Sequence, residues 1–388
     1  MSLPDPKFKR TQEPLWVALD TPALLLDRKR LDANLRRMED HVRKLGIGLR
    51  PHLKTAKSID VARRALPDGG GITVSTLREA FYFADNGFRD IFYAVAIVPQ
   101  KLAQVVALMR RGVRILIAVD DPAAAQFVAD ASRRCGLSFE VMIEVDSGEH
   151  RSGVPPDSDV ILEIARTLTP SARIAGVFTH GGHSYAGRTT AEHAMVAEQE
   201  RLAATEGAKQ LRTSGYACPV VSVGSTPSVL FAEHMEGVTE ARAGVYMFGD
   251  LSQVALGTCC MDDLAVSVLT TVIGKHAGHR QLVVDAGGLA MSKDPGPRGG
   301  SGLPESGYGL VCLAQDAQPI QGLYIHSLYQ EHGIVRSRGS FDIAAFPIGT
   351  RLRILPNHAC LTAAAFDKYH VLPGENTPSV VWPRVNGW

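Results

Sequence analysis

Between about residues 20 and 250 the chain alternates short apolar runs with helical stretches, and this alternation constrains the fold more than any other feature. Eight strand candidates follow in order: Gly48–His52, Gly71–Thr76, Asp90–Val95, Arg114–Val119, Phe139–Val145, Arg173–Thr179, Val220–Gly224 and Ala243–Phe248. Most are near-continuous apolar runs, the pattern of a parallel sheet covered on both faces. Helical segments separate most of them. A further helix after Thr21–Asp27, ahead of the first strand, is marked by Leu31, Leu35, Met38, Val42 and Leu45 at helical spacing, with Arg and Glu between. Eight strands with crossover helices in this length match an α/β (β/α)8 TIM barrel; an open doubly wound sheet is the competing arrangement.

After about residue 260 the pattern becomes all-β. Strand candidates are Ala265–Ile273, Gln281–Asp285, Leu323–Tyr329, Arg351–Leu355 and Val380–Val385. Gly/Pro-rich turns separate them, notably Asp294–Gly302, expected to be a surface loop. The expected organisation is a barrel over residues 20–255 and a β domain made of residues 1–19 plus 256–388. No internal repeat of solenoid period is present.

Composition excludes several classes of function. Lys and Arg total 41 against 40 Asp and Glu, so there is no electrostatic case for a nucleic-acid partner. No basic run suggests a membrane surface, and apolar stretches such as Ile115–Val119 are too short to span a bilayer. The opening MSLPDPKFKRTQEPLW lacks a secretory apolar core. Cys135, Cys218, Cys259, Cys260, Cys312 and Cys360 show no framework spacing, so reduced thiols in the cytoplasm are expected.

Barrel sites collect at the C-terminal ends of the strands, and the chemistry-bearing residues stand there. The first strand runs into Arg50-Pro51-His52-Leu53-Lys54. Burial and cationic neighbours would lower the pKa of Lys54 and suit it to attack a carbonyl; a solvated surface lysine is the plain alternative. The fifth strand delivers Arg151 within a glycine-bearing loop, and the sixth ends in Thr179-His180-Gly181-Gly182-His183-Ser184-Tyr185. The seventh strand ends in Ser222 and Gly224, with Ser225 and Thr226 after it, and Arg242, Gly244 and Val245 lie in the eighth segment, Thr239–Tyr246. Small residues with free N–H groups and hydroxyls in those two places fit a barrel phosphate site. In the β domain, His358 and Cys360 would project together from an extended segment, an imidazole–thiolate pairing suited to zinc; a core cysteine beside an incidental histidine is the alternative. Gln330–Gly333 could add polar groups around such a metal.

Together, Arg50-Pro51-His52-x-Lys54-Thr55-x-Lys57, Gly224-Ser225-Thr226-Pro227, Arg242-Ala243-Gly244-Val245-Tyr246 and Pro356-Asn357-His358-x-Cys360 resemble the fold-type III pyridoxal-phosphate enzymes. Within them, the motifs are most similar to the D-serine dehydratase and D-threonine aldolase group. The likeness runs from about residue 20 to the C-terminus. It implies an alanine-racemase-type barrel followed by an antiparallel β domain, pyridoxal 5'-phosphate, zinc or another divalent metal, a small D-amino acid substrate and a homodimer. It also implies residue roles. Lys54 matches the lysine that carries the cofactor, Arg151 an arginine reaching the cofactor's phenolic oxygen or a substrate carboxylate, and His180 the ring against the pyridine face. Ser222, Gly224, Ser225, Thr226, Gly244 and Val245 fall where the group holds the phosphate. Arg242 matches an arginine facing the pyridine nitrogen, which it would keep unprotonated. His358 and Cys360 match the metal ligands. The aldolases carry His-x-Asp in that place, so Cys360 favours zinc over harder ions and a dehydratase over an aldolase.

The implied activity is conversion of a D-β-hydroxy amino acid, such as D-serine or D-threo-3-hydroxyaspartate, to a 2-keto acid and ammonia. An aldolase would instead release glycine and an aldehyde. A racemase would need a second base and no metal. A non-catalytic cofactor carrier would lack the β domain. His183, Tyr185 and Tyr329 are candidates for the specificity pocket.

Overall fold

In the computed structural model, residues 15–297, 305–372 and 380–388 are described. Residues 1–14, expected in the β domain, and residues 298–302 of the glycine-rich loop lie outside them. Eight parallel strands form one sheet: Gly48–Leu49, Ile72–Val74, Asp90–Ala96, Arg114–Val119, Glu140–Glu144, Arg173–Phe178, Val220–Val223 and Glu240–Ala241. The first pairs with the eighth, and a parallel bridge from His52 to Thr73 joins it to the second, so the barrel is closed. Closure separates this sheet from the doubly wound alternative.

The helix Arg28–Lys44, which leads from the second sheet into the first barrel strand, follows from its sequence. The Asp27 side chain accepts from Arg30 N at 3.0 Å, and His41, Arg43 and Lys44 complement the negative end of the helix dipole. Leu31, Leu35, Met38 and Val42 bury one face against the barrel core. At the N-terminal mouth the buried Arg50 guanidinium bridges Asp90 (2.9 Å) and Glu240 (2.9 Å), and Arg114 continues the chain from Asp90 to Glu140. Removing one partner of so buried an arrangement costs about 3–5 kcal/mol.

The eighth strand differs from expectation. Strand pairing is at Glu240–Ala241, while Val245–Met247 forms a 3-10 turn within the span predicted as Ala243–Phe248. The reason lies at Gly244: a Cβ there would sit 2.8 Å from His52 O, so the backbone lies against the first strand's end and then turns across the barrel mouth.

The second sheet has nine strands. Six of them close into an antiparallel circuit: Val266–His276, Gln281–Val284, Gly333–Ser337, Pro319–Leu328, Leu310–Leu313 and Arg351–Leu355. Leu310–Leu313, Gly333–Ser337 and Lys368–Val371 were not expected from sequence; each is held by a neighbouring strand on both sides. Ala23–Leu26, which the sequence places with the barrel, is a strand of this second sheet, antiparallel to Val266–His276 and parallel to Lys368–Val371. No described helix is long and apolar enough to cross a membrane.

Candidate active site

A cleft of about 810 Å³ opens at the C-terminal ends of the barrel strands, as the fold class dictates. Lys54, Arg151 and His180 line it, as do Gly224, Ser225 and Thr226 of the seventh strand's loop. Arg242, Gly244 and Val245 complete the barrel's share, and His358 and Cys360 enter from the C-terminal region. Residues more than 300 positions apart are therefore brought to one cavity. The junction is direct: Thr55, the neighbour of Lys54, places its Oγ1 3.2 Å from Cys360 Sγ.

Lys54 departs from expectation in its surroundings. Its side chain is exposed in the cleft rather than buried, and the neighbouring Arg50 is turned away, committed to Asp90 and Glu240. The cationic neighbours in the cleft are instead Arg151, half-exposed beside Glu149 at 3.5 Å, and the buried Arg242. Ser222 also differs. It is fully buried beneath the floor, where its hydroxyl donates to Glu240 Oε1 (2.8 Å) and accepts from Arg242 Nη1 (2.6 Å). It positions Arg242, whose Nη2 donates to Thr179 O at 2.5 Å.

His180 is held by the seventh strand's loop: its Nδ1–H donates to Gly224 O at 2.6 Å, leaving Nε2 as the unprotonated nitrogen. Burial and then the charge of Lys54 push its pKa down to about 3, and His52 is lowered for the same two reasons. Both rings are neutral at physiological pH. An unfolded chain protonates histidine near 6.5, whereas folded His180 does so only near 3. Between those values the unfolded state binds the extra proton, so this contribution is present above pH 6.5 and is lost as pH falls. Asp250, pushed up to about 6 by burial, acts oppositely, because the folded state then holds the extra proton. Comparing variants isolates the ring. Between pH 6.5 and 5 the cofactor-free protein is expected to lose roughly 1–2 kcal/mol more stability than its His180→Asn variant. Urea midpoints measure this, and equal losses would contradict a neutral His180.

Around the metal motif, His358 Nδ1 lies 2.5 Å from Asp294 Oδ2, and Asp250 Oδ2 accepts from Ala359 N at 2.9 Å. A hydrogen bond with Cys360, opposed by burial and helped by the charges of Cys360 and Asp250 and by the hydrogen bond to Asp294, leaves the His358 pKa raised to about 9. Among the described residues, no group of three or more His, Cys, Asp or Glu side chains is arranged to hold a metal. Gln330–Gly333 do not line the cleft. Of the three specificity candidates only Tyr185 does; His183 bonds Gln199 at 3.3 Å, and Tyr329 is largely exposed.

Sequence reasoning missed Asp250, Asp294, Glu144 and Glu200. Glu144 lines the cleft and accepts from Ser152 Oγ at 2.7 Å, with its pKa raised by burial. Its position at the end of the fifth strand was a usable signal. Glu200, in the middle of helix Thr190–Thr213, carried none.

Residues 26–252 match the model of the alanine racemase N-terminal domain, and residues 265–372 match that of a putative serine dehydratase domain. The chain is 46% identical to the D-threo-3-hydroxyaspartate dehydratase of Delftia sp. strain HT23, over 96% of this chain and 99% of that one. It is 31% identical to the D-serine dehydratase of Dictyostelium discoideum (92% and 94% covered) and 32% identical to a D-threonine aldolase of Arthrobacter sp. (88% and 86%). A metal-free cysteine-to-alanine variant of D-threo-3-hydroxyaspartate dehydratase superposes with a TM-score of 0.92, at 44% identity over 97% of this chain and 100% of that one. A histidine-to-alanine variant also superposes at 0.92, and the replaced histidine and cysteine stand two residues apart, the spacing of His358 and Cys360. The chain therefore belongs to the family of pyridoxal-phosphate-dependent lyases that joins an alanine racemase N-terminal barrel to a serine dehydratase domain.

Proposed function

We propose that the chain is a dehydratase of D-β-hydroxy amino acids, with D-threo-3-hydroxyaspartate and D-serine as the leading substrates, and that it works as a cytoplasmic homodimer with pyridoxal 5'-phosphate and zinc. The observation that carries this reading is the meeting of Lys54 and the His358/Cys360 pair in one cleft, through the 3.2 Å contact of Thr55 with Cys360.

The residues present fit the cofactor. A primary amine, two guanidinium groups and a neutral imidazole surround the cleft, a set suited to a phosphorylated aldehyde and a carboxylate. Thr226 Oγ1 accepts from Tyr246 N at 3.2 Å, which leaves its own proton for a phosphate oxygen. His358 and Cys360 fit an open divalent site whose other positions go to water or substrate. When bound, pyridoxal phosphate supplies an electron sink at the α-carbon, and the metal supplies a Lewis acid for the β-hydroxyl.

The chain's own groups do the rest. Lys54, exposed in the cleft, takes the α-proton as general base. Arg151 holds the substrate carboxylate from the fifth strand's loop. His180, fixed by Gly224 O, keeps a neutral ring against the reacting system. Arg242, fixed by Ser222 and Thr179, has no proton-accepting atom to offer. Loss of the α-proton and the β-hydroxyl releases water and leaves an enamine. Its hydrolysis takes up one water and yields keto acid and ammonia: oxaloacetate from 3-hydroxyaspartate, pyruvate from serine.

Assaying a panel of D-amino acids with and without zinc tests the reading. Keto acid and ammonia in equal amounts support it; glycine with an aldehyde would make the chain an aldolase instead. Asp294 gives a narrower test. A carboxylate behind a ligating histidine fixes its tautomer and orientation, and losing it costs roughly 10–100-fold in metal affinity. Asp294→Asn is expected to weaken zinc binding by that factor in chelator competition, and unchanged affinity would remove Asp294 from the site.

A further inference from the structure

Glu200 is fully buried in the long helix Thr190–Thr213, on the outside of the barrel, and belongs to none of the motifs. Its carboxylate nevertheless reaches the backs of two cleft loops. Oε1 accepts from Gly181 N at 2.6 Å and from Gly224 N at 2.9 Å. Oε2 accepts from Ser228 Oγ at 2.5 Å. Gly181 directly follows His180, and Gly224 opens the Gly224-Ser225-Thr226 segment. Ser228 in turn meets Ser225 Oγ at 2.9 Å, and Ser225 Oγ meets Ser184 Oγ at 2.9 Å. One side chain therefore holds the sixth and seventh strands' loops in register, at the places where His180 and Gly224 face the cleft.

Glycine stands at both loop positions, against Glu200 at Gly181 and against the Arg242 backbone at Gly224. A Cβ on Gly181 would lie 3.1 Å from the Glu200 carboxyl carbon. Gly224 has φ +150°, and a Cβ there would lie 2.6 Å from Arg242 N. Both loops carry glycine where backbone must press against the support beneath.

We infer that Glu200 is a positioning residue for the cofactor site: by accepting three hydrogen bonds it sets the His180 loop and the Gly224 loop at the spacing that binds pyridoxal phosphate. This rests on the proposed function for the identity of the ligand, but the loop-holding part does not. Glutamine can keep the shared acceptor oxygen for both N–H groups, and its amide can donate to the Ser228 hydroxyl. Alanine keeps nothing.

The test uses the full chain and two readouts. Amide hydrogen exchange in cofactor-free protein reports the loops. Equilibrium titration with pyridoxal phosphate reports the site. Glu200→Ala is expected to speed exchange at Gly181 and Gly224 at least tenfold relative to the barrel strands and to weaken cofactor binding at least tenfold, whereas Glu200→Gln stays within about threefold in both. If Glu200→Ala does not fold, Gly181→Ala takes its place, because its added Cβ crowds the carboxylate; the same two changes are expected at smaller size. Unchanged exchange in a folded variant overturns the inference, as does faster exchange with unchanged cofactor affinity. A wild-type chain that binds no pyridoxal phosphate would overturn the proposed function, and the exchange readout would still decide whether Glu200 holds the loops.

Discussion

Lys54→Ala is expected to lower turnover of D-threo-3-hydroxyaspartate by roughly 10²–10⁴-fold, the range associated with losing a positioned general base. The amine stands exposed at the end of the first barrel strand, within a cleft whose other cations, Arg151 and Arg242, are held by Glu149 and by Ser222 with Thr179. No other lysine lines this cleft among the described residues, so nothing nearby can substitute for it. The wild-type chain is expected to be trapped on Lys54 by borohydride reduction with pyridoxal phosphate, and the variant not to be trapped. Turnover within tenfold of wild type, or trapping at a different lysine, would remove Lys54 from the chemistry.

The second large effect concerns Cys360. Cys360→Ala should cost more zinc affinity than the roughly 10–100-fold that follows loss of an outer partner, because a ligand itself is removed. Dehydratase activity is expected to fall with it, since the β-hydroxyl loses its Lewis acid. Cys360→Asp replaces a soft thiolate by a hard carboxylate and should shift the preference from zinc towards manganese or magnesium. Activity of each variant, restored by titration with each metal after chelator treatment, measures both points. Wild-type activity that survives chelation, or zinc affinity indifferent to Cys360→Ala, would exclude a metal role for this residue. Thr55 adds a control: its hydroxyl touches Cys360 Sγ at 3.2 Å but supplies no ligand in this reading.

Much of the barrel was legible because its strands are continuous apolar runs and its helices have one apolar stripe. Seven of the eight strand candidates overlap observed strands, and Leu31, Leu35, Met38 and Val42 all face the core. The eighth was displaced because pairing with Val220–Val223 ends at Ala241, and Gly244 then packs against His52. Short strands of the second sheet escaped for a different reason. Lys368–Val371 exists because Ala23–Leu26 and Val380–Pro383 offer partners on both sides, a circumstance its own residues do not record.

The cleft residues divide in the same way. Strand-end position brought out Lys54, Arg151, His180 and Gly224, because parallel barrels place strand ends at one mouth, whereas Arg242 precedes the expected eighth strand and stood out through the family resemblance. Ser222 stood in the right stretch, but strand alternation turned its hydroxyl inward to Glu240 and Arg242. Asp250, Asp294 and Glu200 bear on the cleft through partners 109, 64 and up to 28 positions away, and no local pattern announces such a contact.

By itself the sequence determined the alternation that closes into a barrel, the all-β character of the C-terminal region, and the residue types at the strand ends. These depend on local periodicity and on the geometry common to parallel barrels. Only the tertiary structure decided that Cys360 meets the neighbour of Lys54, that Arg50 turns away from the cleft, and that one buried carboxylate on an outer helix holds two cleft loops. Those outcomes depend on which distant groups share a buried volume, where every polar atom must find a partner and only packing determines which one it finds.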